Sequence, residues 1–262
     1  MSRVSVTLTD HIAHVRLTRP DKRNAVDQQM IDALIAAGAE VAASSARCVV
    51  MSGEGEGFCA GIDIAGLGGM IGKDMEPLLM PRSHGNGTTN QWQEMALVWH
   101  RLEIPVIAAL HGTVFGAGMQ LALGADIRIA HPESQMAVME MKWGLVPDMG
   151  GMVLLPRLVR SDVMRKLIYA ATPVNAAQAE HWGLVTELAD DPLAAATALA
   201  AEIAGQGPNA IRAAKHLIDL AETRTVKEVL LAESRLQAGL LGQPEQMEVV
   251  AARFAKRPAR FN

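Results

Sequence analysis

The chain has little that marks a binding surface for polymers or membranes. Lysine and arginine number 24 against 28 aspartates and glutamates, a formal net charge of -4, so no basic face for nucleic acid is expected. No apolar run approaches the roughly 18 residues that would cross a bilayer, since His111 and several glycines break the stretch from 105 to 125. The start, MSRVSVTLTD, lacks the basic-then-apolar order of a secretory leader. The two cysteines, Cys48 and Cys59, lack metal-ligand spacing. Together these point to a reduced, cytoplasmic protein without a structural metal or disulfide. Aromatic residues are only 3% of the chain, while its 15 methionines fit a helix-rich interior with adaptable, gap-filling side chains. Short repeats and low-complexity tracts are absent. What remains is a 262-residue chain able to bury a sizeable core, whose partner is a small molecule or a second copy of itself.

The hydrophobic pattern alternates strands and helices. VSVTLTD and HIAHVRLTRP each alternate apolar and polar residues around an Asp10-His11 turn, which predicts an N-terminal hairpin. Val26, Met30, Leu34 and Val41 recur at helical spacing over 26–43, ahead of the β-type run CVVMSG. A helix near 91–103, the strand IPVIAALHG, a helix from Gly116 to Leu123 and the strand DIRIAHP continue the alternation. This argues for a layered α/β domain with sites at strand ends. Residues 53–90 hold two loops, and LMPRSHGNGTTNQ is expected to be mobile. Beyond 150 the pattern turns helical, with one short strand LVTEL, so 1–191 reads as an α/β core and 192–262 as a helical region suited to self-association.

Three pieces could carry chemistry. FCAGID (58–63) and FGAG (115–118) each set small residues on a turn at a helix start, where unpaired N–H groups and the helix dipole favour negative charge. Two such turns facing each other would make an oxyanion hole; singly, each fits a plain chain reversal equally well. A dinucleotide fingerprint fails because Leu121 stands where its third glycine would pack. In MEMKWGLVPDMGG (139–151), Glu140 and Asp148 sit among apolar residues, which favours a general base near neutrality; two carboxylates at a helix start are the other reading. His111 has no serine or cysteine at nucleophile spacing beside it, and Cys59 reads as a small buried residue. Lys22-Arg23 and FAKRPARF are solvated charges or phosphate partners.

In this order the pieces resemble the crotonase (enoyl-CoA hydratase/isomerase) superfamily: LTRPDKRNAV, GFCAGIDI, IPVIAALHGTVFGAGMQLALGADIRIA, MEMKWGLVPDMGG and FAKRPARF. The resemblance implies a spiral of repeated ββα units and a helical C-terminal region that forms trimers or dimers of trimers. Its ligand would be an acyl-CoA thioester, with coenzyme A as part of the substrate and no separate cofactor or metal. It implies that the Ile62 and Ala117 N–H groups hold the thioester oxygen, and that Lys22, Arg23, Ala60, Gly61 and Lys256 meet the coenzyme. Hydratases of the family use two glutamates; the second matches Glu140, whereas Gln120 occupies the first position, cannot take a proton at neutral pH and is expected to hold water or substrate. Asp148 matches an aspartate of dienoyl-CoA isomerases, which carry an acid where Gln120 stands. The implied activity is therefore of enoyl-CoA hydratase/isomerase type, with double-bond migration easier to defend than hydration. A Glu140/Asp148 dienoyl-CoA isomerase and an acyl-CoA-binding protein without catalysis are the alternatives. Met70, Met75, Met80, Met95, Trp92 and Trp99 are expected around the acyl pocket.

Overall fold

The computed structural model describes residues 2–67 and 72–261. Strands β1 (Val4–Thr9) and β2 (Ile12–Leu17) pair antiparallel with Thr9 opposite Ile12. Asp10 and His11 between them take positive φ, 49° and 62°, the mirror-image turn whose twist suits a two-residue hairpin. Helix α1 (Gln28–Ala42) starts where the Asp27 carboxylate accepts the Met30 N–H at 2.9 Å, a side-chain cap for one of the first-turn donors.

Then follow β3 (Cys48–Gly53), the short α2 (Ile64–Leu67) and α3 (Glu76–Leu79), α4 (Gln91–His100), β4 (Val106–Leu110), β5 (Thr113–Phe115), α5 (Ala117–Leu123), β6 (Ile127–Ala130) and β7 (Gln135–Ala137). A 3-10 turn over Glu140–Trp143 leads to α6 (Gly151–Leu154), α7 (Ser161–Ala170), β8 (Val174–Asn175), α8 (Ala176–Trp182) and β9 (Glu187–Leu188). The chain closes with α9 (Pro192–Ala204), α10 (Pro208–Thr223), α11 (Val226–Leu240) and α12 (Pro244–Phe254).

The main sheet has the order β1-β2-β3-β4-β6-β9, parallel from β2 onward, and a smaller sheet has the order β5-β7-β8. Parallel strands are normally covered on both faces, and the core divides accordingly. Val49, Met51, Val106, Ala108 and Leu110 point into the large cluster shared with Leu34 of α1, Trp99 of α4 and Leu121 of α5. Their neighbours Cys48, Val50, Ile107 and Ala109 point the other way, onto Ala196, Ala200 and Ala204 of α9. The alanine face lets that helix lie close to the sheet. The first helix of the 192–262 region therefore belongs to the sheet's own packing.

The chain alternates between the two sheets. β4 is followed by β5 and then α5; β6 is followed by β7 and then the 3-10 turn at Glu140. β3 repeats the pattern, because Cys59 after it forms a parallel bridge with Val114 of β5 before α2 begins. Each repeat thus sends one strand to each sheet and then a helix, the ββα spiral.

Helix α10 is tied to the core by Lys215, whose buried Nζ donates to the Ile104 carbonyl at 3.0 Å and to Asp126 Oδ2 at 2.8 Å. Helix α11 buries no residue, and Val226, Leu230 and Leu231 are exposed. Among the described residues no helix is long and apolar enough to cross a membrane.

Candidate active site

The spiral sets three strand-to-helix turns side by side. Cys59 pairs with Val114, and Val114 pairs with Met136. Three or four residues past these partners the chain reaches Ile62, Ala117 and Glu140. The Phe115 N–H donates to the Cys59 carbonyl at 3.0 Å and the Gly116 N–H to the Ala137 carbonyl at 2.9 Å, so each turn is bonded to the next.

Glycine permits this approach. Gly61 has φ of 98°, and a Cβ there would meet the Phe115 carbonyl oxygen at 2.9 Å and the Ala117 nitrogen at 3.8 Å. A Cβ on Gly118 would lie 2.6 Å from Cys59 Cβ. Within the turns, the Val26 N–H donates to the Gly61 carbonyl and the Asp63 N–H to the Val26 carbonyl, both at 2.8 Å. Among the described residues the N–H groups of Ile62 and Ala117 meet no acceptor. They are thus available to an anionic or polarised oxygen.

Glu140 borders this pair: a Cβ on Gly116 would come within 3.8 Å of Glu140 Oε1. Gln120, 1% exposed, holds the carboxylate. Its Nε2 donates to Glu140 Oε1 at 2.6 Å, and its Oε1 accepts the N–H groups of Met149 at 2.8 Å and Gly151 at 3.0 Å. Glu140 Oε2 is buried without a partner. Burial pushes the Glu140 carboxyl above its ordinary range; the Gln120 donor opposes this, and the nearby negative charge of Asp148 adds to it. Asp148 is exposed as a residue, yet protein around its carboxyl raises it too, again through desolvation. A carboxyl raised above its ordinary range, with one oxygen unpartnered, is suited to take up a proton.

The remaining candidates divide. The Ala60 N–H donates to the Arg23 carbonyl at 2.9 Å, so Ala60, Gly61, Lys22 and Arg23 border one another, with Lys22 and Arg23 exposed. Lys256 is exposed, in the turn after α12. The segment after α12 runs to Arg47, ahead of β3, where Arg47 Nη2 donates to the Phe261 carbonyl and the guanidinium carbon Cζ lies 5.3 Å from the Phe261 ring centroid. Trp92, Met95 and Trp99 are packed in the main core, Met80 is exposed, and Met70 lies outside the described residues. His111 Nε2 lies 2.9 Å from the Gly55 carbonyl oxygen and braces the 54–57 turn. Cys59 is fully buried and its thiol is pushed up to about 12. Among the described residues no group of three or more His, Cys, Asp or Glu side chains could hold a metal ion.

Sequence reasoning missed the Met149 and Gly151 N–H groups that cradle Gln120, and missed Arg19, Asn24 and Asp63 behind the Ile62 turn. The doubled Gly150-Gly151 and the RPDKRN stretch were the available signals.

Comparison with known proteins gives the family. The family model described as Enoyl-CoA hydratase/isomerase matches residues 7–262. The chain belongs to the enoyl-CoA hydratase/isomerase family. It is 30% identical over 258 residues to a protein named probable enoyl-CoA hydratase in Mycobacterium tuberculosis, covering 98% of each chain. It is 32% identical to the 1,2-epoxyphenylacetyl-CoA isomerase of Escherichia coli, covering 94% of this chain and 92% of the relative. The crystal structure of an enoyl-CoA hydratase from Polaromonas sp. JS666 superposes with a TM-score of 0.88 at 26% identity, covering 99% of each. As a member of this family the chain is an enzyme with the crotonase fold.

Proposed function

We propose that the enzyme binds an enoyl-CoA thioester and moves its double bond with Glu140 as the single acid/base. The observation that carries this reading is the Gln120 clamp: an amide, not a second carboxylate, faces Glu140, and its own oxygen is already occupied by two backbone donors. Water addition by the family's two-glutamate scheme needs a proton-carrying group at that position. Double-bond migration needs only one carboxylate, and Glu140 supplies it. The Glu140 carboxylate takes a proton from C2 of a 3-enoyl-CoA, the electron pair delocalises onto the thioester oxygen, and the same carboxyl returns the proton to C4, leaving a 2-enoyl-CoA. The Ile62 and Ala117 N–H groups hold the oxygen while it is negative, where each preorganised donor is worth about 3 to 4 kcal/mol. Lys22, Arg23, Ala60 and Gly61 form the side along which the coenzyme lies. The uncovered apolar residues of α11 support a trimer or dimer of trimers, from whose neighbouring copy Lys256 could reach the coenzyme.

A second reading follows from the influence of Asp148 on Glu140: in a dienoyl-CoA the two carboxyls could serve two carbons, one removing and one returning the proton.

The test is incubation of 3-enoyl-, 2-enoyl- and dienoyl-CoA esters in deuterated water, following double-bond position and deuterium by NMR and mass spectrometry. Migration with exchange is expected in the wild type, and Glu140→Gln should lower it about 100- to 10,000-fold. Full turnover in Glu140→Gln, or water addition as the main reaction, would refute the single-base scheme. Tight acyl-CoA binding without any exchange would instead mark a protein that has lost catalysis. Asp148→Asn separates the first two readings, since only the dienoyl reaction by two carboxyls requires its proton.

A further inference from the structure

We propose that Arg19 is a positioning residue for the oxyanion hole, fixing the turn that carries the Ile62 N–H and cancelling the carboxylate charge that Asp63 places beside it. The inference rests on Ile62 being an oxygen-holding donor, as proposed above.

Arg19 is 8% exposed. Its Nη2 lies 2.7 Å from Asp63 Oδ2 and its Nη1 3.4 Å from Asp27 Oδ2, and Nη1 donates to the Ala25 carbonyl at 2.9 Å. The Arg19 N–H donates to Asn24 Oδ1, and the Asn24 N–H returns to the Arg19 carbonyl, both at 2.9 Å. Asn24 is fully buried and left-handed, with φ of 55°. Its Nδ2 donates to the Glu54 carbonyl at 2.9 Å and the Gly57 carbonyl at 3.0 Å, and its own carbonyl accepts the Cys59 thiol at 3.1 Å. Segment 19–27 therefore grips segment 54–63 on both sides of Ile62, through side chains and through the Gly61 and Asp63 main-chain bonds.

Charge is the second half of the argument. Asp63 directly follows Ile62, so its carboxylate repels the negative charge that a thioester oxygen gains at the hole. The hydrogen bond from Arg19 holds the Asp63 carboxyl below the ordinary aspartate range, helped by the Ala65 N–H and by Lys22, so the group stays ionised and its compensation is permanent. Arg3 pairs with Asp27 at 2.8 Å, which makes Arg3, Arg19, Asp27 and Asp63 a neutral cluster. Removing Arg19 leaves one carboxylate in excess next to the hole. A guanidinium is suited to this place because its planar fork serves Asp63, Asp27 and the Ala25 carbonyl at once.

The carbonyl stretch of bound 13C-labelled butyryl-CoA reads the hole directly, and turnover on 3-hexenoyl-CoA reads its use. If the wild type leaves the carbonyl band unshifted, the oxygen-holding reading of Ile62 and Ala117 fails, whatever Arg19 does. With a wild-type shift to lower frequency, Arg19→Met should show a smaller shift and a kcat lower by about 10- to 100-fold, less than full loss of one donor, with KM within about threefold. Arg19→Met/Asp63→Asn should recover part of both, which loss of structure alone would not give. Asp63→Asn by itself, with Arg19 in place, should shift the band further than the wild type does, and it tests the charge argument even if Arg19→Met does not fold. A full shift and full kcat in Arg19→Met, no relief in the double variant, or an unchanged band in Asp63→Asn would overturn the inference.

Discussion

Replacing Gln120 by methionine, nearly its equal in volume, should damage the fold and the base together. Three groups lose a partner: the N–H of Met149, the N–H of Gly151 and the Oε1 of Glu140. Met149 and Gly151 are buried, and each buried donor left unsatisfied costs about 1 to 3 kcal/mol. The two N–H groups alone put the expected loss near 4 kcal/mol, a large part of the roughly 5 to 15 kcal/mol that holds a domain folded. The midpoint of thermal unfolding should fall by about 8 to 16 °C at about 2 to 4 °C per kcal/mol. Gln120→Glu separates the contributions. A glutamate still accepts both N–H groups but sets a second carboxylate 2.6 Å from Glu140 Oε1. At an effective dielectric of about 20, two charges so close repel by about 6 kcal/mol, so the pair keeps one proton over about 4 pH units beyond the first ionisation. The folded state then binds more protons than the unfolded one, and stability falls as pH rises through that window. Urea unfolding at pH 6 and 8 and fixed protein concentration distinguishes the two variants: Gln120→Met is weak at both, Gln120→Glu mainly at pH 8. A Gln120→Met protein within 1 kcal/mol of wild type would refute the clamp; that threshold is about the lower cost of one orphaned donor.

Glu140 and Asp148 are both raised by burial, so as a general base Glu140 should give a turnover rate that climbs with pH through a value above the ordinary glutamate range; a rate–pH profile flat down to pH 5 would contradict this. The same shift destabilises the fold as pH rises past the unfolded glutamate value toward the folded one, and the stability advantage of Glu140→Gln should grow over that interval. Gly118→Ala would place its Cβ 2.6 Å from Cys59 Cβ and carbonyl oxygen, forcing the two donor turns apart. Turnover should fall by about 100-fold or more with about 1 to 3 kcal/mol of destabilisation, measured by steady-state kinetics and urea unfolding. Cys48 and Cys59 are buried, with thiols pushed up to about 12. Native protein should therefore leave both unmodified by a thiol reagent at pH 8, and urea should release two reactive thiols.

Local features of the fold were readable because their causes are local. Two-sided burial of β3 and β4 leaves continuous apolar runs, and a two-residue turn links β1 to β2. FCAGID and FGAG could be read as turns because small residues mark them, whichever partner they face. The role of Gln120 could not be read that way. Its partners lie 20, 29 and 31 residues further on, and the doubled glycine of MEMKWGLVPDMGG marks a turn without saying that the N–H groups of Met149 and Gly151 point at a glutamine. Arg19 poses the same problem, since Asp63 is remote in sequence and only the folded turn brings it to the guanidinium. The methionine and the two tryptophans of α4 show the opposite limit. Apolar residues near a site are equally consistent with a pocket wall and with the core, and Met95 and Trp99 are core.

Helix α5 explains why donor and clamp occur on one short element. Ala117 opens the helix and Gln120 lies three residues on, so both fall on one face. The neighbouring β7 repeat delivers Glu140 to that face, through the Gly116 to Ala137 hydrogen bond. The distance between the proposed oxygen-holding N–H and the proposed base is therefore set by sheet pairing and one helical turn, with no long loop between them. Gly118, packed on Cys59, sits inside the same turn and couples it to the Ile62 repeat. A change at any of these contacts moves the donors and the base relative to each other. Under the proposed function, the α5 clamp and the 19–27 segment would thus act on the same quantity: the position of the thioester oxygen relative to Glu140.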